Sequence, residues 1–321
     1  MLEQEYHAHS RRKYLMIAAG VVLTLVAAYV FTTLGMKEAG PFQTVDAIAR
    51  YFDGTIAMGA DAAMNKIILL LRLPRVLLAL IAGAGLALAG ALMQSVTRNY
   101  LVSPFTLGIS SAAALGASLC IVLAAGTALD SDLGIITSAF LLSSACGIIV
   151  YGIARRSGLR PTTIVLVGIA LNYFFSALTA TLEFFAQEHK LAAVIQWTFG
   201  SLHRASWEYV AIGGVVVALG LIAALFYALP LNVMAVSDDE TARSLGVNPV
   251  RLRTIAGLVA VFMTATIISF TGVIGFVGLI APHMARFLIG TDHRFYLPFT
   301  ALLGAALLLL SDTVGKLILY P

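Results

Sequence analysis

The chain has 321 residues, 60% of them hydrophobic and only 11% charged, with a mean hydropathy of +0.94. That excludes an ordinary soluble globular domain. The formal net charge of +4 does not point to nucleic acid either, because membrane proteins gather Lys and Arg in their cytoplasmic loops.

Nine apolar runs reach or approach the roughly 20 residues that cross a bilayer: Tyr14–Leu34, Leu73–Met93, Phe105–Ala125, Leu133–Ala154, Thr163–Phe185, Val210–Leu229, Leu252–Phe270, Val273–Leu288 and Leu297–Leu319. The predicted fold is an all-α polytopic membrane helical bundle, one transmembrane domain over residues 1–321. Arg11, Arg12 and Lys13 precede the first run, which is too long for a signal-peptide core and lacks a small-residue cleavage site. Residues 1–13 are therefore expected to form a cytoplasmic tail. With that start, most Lys and Arg fall on the inner side, a modest positive-inside bias.

The outer segment after the first run carries an expected amphipathic helix over Thr44–Phe52 and ends in Arg72-Leu-Pro-Arg75, with Pro74 suited to the first turn of the next span. Arginines on the outer edge fit either interfacial snorkelling or a basic patch that captures an acidic partner. Gly83, Gly85 and Gly90 in the second run, and Gly272, Gly275 and Gly278 near the eighth, read as close-packing positions. Cys120 and Cys146 lie inside apolar runs and read as small buried hydrophobes.

In the fifth run Asn172 and Ser176 are four apart and share a face, suiting either a polar path or interhelical hydrogen bonds. A short outer helix is expected near Ala192–Phe199, with Trp197 and Trp207 at the membrane boundary. His283 reads as a satisfied packing residue. Asp312 and Lys316, four apart, read as a local ion pair.

One polar island stands out between the sixth and seventh runs: Ser237–Pro249, SDDETARSLGVNP. Asp238 or Asp239 can cap a short helix, Glu240 adds negative charge to its first turn, Gly246 ends it, and Pro249 blocks simple continuation. Spans need only a few connecting residues, so a capped helix here is either an element gripped by a partner or an ordinary solvated loop. The sequence has no phosphate-binding G-x-x-x-x-G-K-[ST], no H-E-x-x-H and no G-x-S-x-G.

Four blocks resemble permeases of the FecCD family, the membrane subunits of ABC importers for ferric siderophores, haem and cobalamin. They are RLPRVLLALIAGAGLALAGALMQ with RNYLVSPFTLGISSAAALGA over Arg72–Ala117, VLVGIALNYFFSALTATL at Val165–Leu182, IQWTFGSLHRASW at Ile195–Trp207, and the segment Ala242–Thr313 that holds ARSLGVNPVRLR, GFVGLIAPHMARFLIGTDHR and LPFTALLGAALLLLSDT. The resemblance implies a type II ABC importer permease fold and transport by alternating access. It implies an ATPase-coupling element at Asp238, Asp239, Glu240, Ala242, Arg243, Leu245, Gly246 and Val247. It implies docking of an extracytoplasmic substrate-binding protein at Arg72, Arg75 and Lys316. A gate at Thr162 and Thr163 and a path past Asn172 and Ser176 follow from the same likeness.

The implied partners are ABC ATPase subunits, the substrate-binding protein, a second permease copy or paralogue, and membrane lipid, in the bacterial cytoplasmic membrane. No catalytic residue, metal site or resident cofactor is implied, and ATP with Mg is used by the partner ATPase. Family members carry ten spans, the last after a Leu-Pro-Val-Gly-like stretch. This sequence stops at Tyr320-Pro321 without one, the expectation being either a truncated sequence or a natural variant lacking the last helix, and nine spans from a cytoplasmic start are expected to leave that end outside. The rivals are an ion-driven carrier, which calls for paired intramembrane carboxylates and broken helices, and a membrane enzyme, which calls for a catalytic constellation.

Overall fold

The computed structural model describes residues 2–33, 41–52, 62–124, 127 and 131–319, and among these there is no β-strand. In chain order the helices are α1 (Leu2–Thr33), α2 (Pro41–Phe52), α3 (Ala62–Ile67), α4 (Leu73–Thr97), α5 (Ile109–Leu123), α6 (Asp132–Arg155), α7 (Pro161–Phe185), α8 (Glu188–Thr198), α9 (Trp207–Phe226), α10 (Ala228–Val236), α11 (Asp239–Ser244), α12 (Pro249–Thr271), α13 (Val277–Ile289) and α14 (His293–Leu319). All nine expected runs appear as helices. Seven are long and apolar enough to cross a membrane.

The other two, α5 and α13, are shorter than their runs, with 15 and 13 residues. At 1.5 Å per residue they reach only about 20 Å. Each enters through irregular backbone instead. Gly108 adopts φ +76° at the start of α5, and Gly272 adopts φ +69° in the stretch before α13. Such backbone is tolerated at membrane depth where protein encloses it. Ser201 N–H donates to the Thr271 carbonyl there, at 2.6 Å.

Helix α4 is the central post, packed by α14, α12, α13 and α9. Its apolar stretch is 78% buried, against 17% for that of α7. Apolar burial gives little driving force between helices in lipid, so close approach of small residues must supply it. A Cβ on Gly83 would run into the carbonyl of Gly304, and one on Gly90 into that of Gly278. Pro282 in α13 has no N–H to offer the Gly278 carbonyl one turn back, and Gly90 packs against that freed oxygen.

Proline sets two more features. Pro74 leaves the helix one hydrogen bond short, and the turn before it, Ile68–Arg72, widens into a π-helical turn joining α3 to α4. Pro230 cannot bond to Phe226, and α9 ends at Phe226, short of the expected Leu229. Trp197 is buried against the bundle, its carbonyl lying against Gly272. His283 is exposed on α13 rather than packed inside.

Candidate functional site

The polar island folds as a short, fully capped helix. Asp238 is the cap: its carboxylate accepts from Thr241 N–H at 2.8 Å, and that hydrogen bonding holds its pKa below the ordinary carboxylate range. At the other end Gly246 N–H donates to the Arg243 carbonyl and Val247 N–H to the Ala242 carbonyl, the paired bonds of a Schellman stop. Gly246 sits at φ +83° with open space around its Cα, so backbone conformation, not room, calls for glycine. Pro249 does not end this segment; it is the first residue of α12, whose cap Asn248 accepts from Arg251 N–H at 3.1 Å.

A three-way clamp ties this helix to the bundle. Arg253, on the first turns of α12 and 1% exposed, forks onto Asp239 with Nη1 and Nη2 at 2.6 and 2.8 Å. Its Nε donates to the Val96 carbonyl of α4 at 3.1 Å. Arg98, the left-handed residue that ends α4, joins Asp239 at 3.1 Å and donates to the carbonyls of Met234 and Ser237. The bond from Arg253 is the chief reason the Asp239 pKa is lowered.

Ala242 is buried beneath the helix. Glu240, Arg243, Leu245 and Gly246 face outward, and Leu245 is 64% exposed. The result is a rigid ridge with an apolar centre and charged flanks, fixed to α4 and α12. Val247 is half-buried at its foot. Arg253 and Arg98, which hold the ridge, are not apparent from residue spacing. Their only sequence signal is their place among the inner basic residues.

At the opposite end Arg75 forks onto Asp312, Nε and Nη2 at 2.8 and 2.7 Å. Asp312 therefore pairs across helices and not with Lys316 as expected. Bidentate guanidinium geometry suits this carboxylate better than the ammonium one turn along. Arg75 Nη1 also donates to His203 Nδ1 at 3.1 Å. Lys316 lies half-buried in a cleft that Arg75, His203 and Asp312 also line. Arg72, however, is 7% exposed and turned inward, donating to the carbonyls of Thr32 and Thr33 at the end of α1. As folded here it is not presented to a docking partner.

Apart from α1, helix α7 is the least covered of the seven long spans. Thr162, Ser176, Tyr173 and Phe174 are exposed along it. Thr163 and Asn172 are half-buried, and the Asn172 backbone abuts Gly108 at the start of α5. A cleft of about 470 Å³ lies between Thr162, Val165 and Leu166 of α7 and Thr97–Asn99 at the end of α4. Among the described residues no group of His, Cys, Asp and Glu could hold a metal ion.

The comparisons agree with this architecture. Residues 21–321 match the FecCD transport family. The chain is 32% identical to the Fe(3+)-citrate import permease YfmD of Bacillus subtilis, covering 98% of this chain and 91% of that one. It is 36% identical to the hemin permease HmuU of Yersinia pestis, over 81% and 78%. It is also 36% identical to the cobalamin permease BtuC of Halobacterium salinarum, over 81% and 69%. A solved ABC transporter assigned to the metal-chelate type, in an inward-facing conformation, superposes with a TM-score of 0.81 at 30% identity, over 94% of this chain and 91% of its own. The chain belongs to the FecCD transport family and is a multi-pass membrane permease of the ABC importer class.

Proposed function

We propose that this permease carries an iron chelate, with a ferric siderophore or ferric citrate ahead of haem and cobalamin, and that its ridge of Asp239–Ser244 is the seat of an ABC ATPase. The cargo reading rests on the likeness to the ferric-citrate permease; the observation that carries the ATPase seat is the clamp of Arg253 and Arg98 on Asp239. It makes the ridge one rigid unit with the ends of α4 and α12, so a push on the ridge becomes a tilt of two central helices. Alternating access needs such an element with two packings.

The remaining roles follow from the same frame. The exposed face of α7 meets a second permease copy or a paralogue, and cargo passes between them beside Ser176 and Asn172, with Thr162 and Thr163 at the inner closure. Arg75 and Lys316 meet acidic groups of a substrate-binding protein on the outer face. Exposed pairs of that kind are worth about 1 kcal/mol or less each and set register and encounter rate. The N-terminus lies in the cytoplasm: Lys13 rests over Phe295 at the same end of the bundle as the ridge. ATP is hydrolysed by the partner, and no reaction is assigned to this chain.

Reconstituted with its ATPase and binding protein, the permease is expected to import ferric citrate or a ferric siderophore only with ATP, faster than hemin or cobalamin. Uptake driven by an ion gradient without ATP would overturn the reading.

A further inference from the structure

Near the ridge lies a cavity of about 280 Å³ between the ends of α4, α10 and α13 and the start of α14. Its walls include Gln94, Arg98, Tyr100, Arg286, His293 and Tyr296, and none of its lining residues is acidic. Arg286 is held there as if on a bracket. Its guanidinium stacks on the Tyr100 ring at 3.8 Å, and Nη2 donates to Gln94 Oε1 at 2.7 Å and to the Tyr296 hydroxyl at 2.9 Å.

Both of those acceptors are neutral. Two carboxylates of neighbouring segments are engaged elsewhere: Asp239 by Arg253 and Arg98, Asp292 by Arg294 and Asn232. Among the described residues no carboxylate pairs with Arg286 and neither its Nε nor its Nη1 has a hydrogen-bond acceptor, so this half-buried cation lines the cavity without a counter-ion. Gln94, 1% exposed, also has an Nε2 with no hydrogen-bond partner. A guanidinium in partial burial without a counter-ion is costly, and its planar fork matches an oxyanion bidentately.

We propose that this cavity binds a phosphoryl group, presented by Arg286 and bordered by Arg98, at the cytoplasmic end of the bundle. The source is an anionic phospholipid headgroup or free phosphate. Because Arg98 also grips Asp239, an occupied cavity stiffens the footing of the ridge. This holds whatever the cargo.

The test uses the full chain in phosphatidylcholine discs, titrated with inorganic phosphate against chloride of equal ionic strength. A second arm uses discs containing phosphatidylglycerol, with bound lipid read by native mass spectrometry. Wild type is expected to be stabilised by phosphate beyond chloride, to retain phosphatidylglycerol, or both; the arm that responds names the source. Arg286→Gln should weaken the response about tenfold, as loss of a charge-assisted bidentate contact does. Should that variant fail to fold, Tyr100→Leu keeps the cation, removes its bracket and should weaken binding by a smaller factor. A wild type that responds to neither source would overturn the proposal. So would a folded Arg286→Gln variant that binds like wild type.

Discussion

Arg253 and Asp239 stand 14 residues apart and meet in a two-pronged ion pair whose guanidinium is 1% exposed and whose carboxylate is 34% exposed. Removing the carboxylate leaves a buried cation with only the Val96 carbonyl. Breaking a buried pair typically costs about 3–5 kcal/mol, and the partial exposure of Asp239 brings the expectation to about 2–3 kcal/mol. Asp239→Ala should lower the thermal midpoint of the purified permease clearly, and Asp239→Asn, which keeps an acceptor, by less. Asp239→Ala combined with Arg253→Met should recover part of the loss. Additive single and double effects would show that the two residues do not act together.

Gly246 closes α11 at φ +83° with nothing near its Cα. Gly246→Ala should therefore cost about 1 kcal/mol, from backbone strain alone, and Gly246→Asn less, since Asn tolerates the left-handed region. Thermal unfolding of the two variants is the check.

The seams of α4 are a matter of room. Gly90→Val would drive a side chain into the Gly278 backbone, whereas a Cβ at Gly152 on α6 meets nothing within 4 Å. Gly90→Val should abolish monodisperse protein in detergent, and Gly152→Val should purify like wild type. Size-exclusion profiles of the two decide it.

Beside Arg75 and Asp312, His203 has its pKa lowered by desolvation and then by Arg75. The folded state thus binds a proton there less readily than the unfolded chain. Stability is full above the unfolded value of about 6.5, falls as pH drops below it, and levels off below the folded value. An NMR titration of His203 should give a midpoint below 6.5, moved up by Arg75→Gln and down by Asp312→Asn. The effect on stability is small because the ring is largely exposed.

Much of the bundle was legible because twenty-residue apolar runs admit few alternatives, and the capped helix because Asp, Gly and Pro mark helix ends by local chemistry. The Asp312–Lys316 expectation failed for the opposite reason. Spacing of four on a helix shows which residues can meet locally, not that Arg75, 237 positions away in sequence, offers a better fork. The clamp was hidden likewise: Arg253 reads as one more inner cation until the fold brings α12, α11 and the end of α4 together. The shortness of α5 and α13 was hidden by apolar residues that continue through irregular backbone.

The measurement that bears most directly on the ridge is co-purification of the ATPase subunit with the wild-type permease and with a variant whose residues Asp238–Pro249 are replaced by a Gly/Ser linker of equal length. Wild type is expected to retain the ATPase, and the variant, inserted in the membrane at a comparable level, to lose it. Equal retention by both would contradict the coupling role and reduce α11 to a connector.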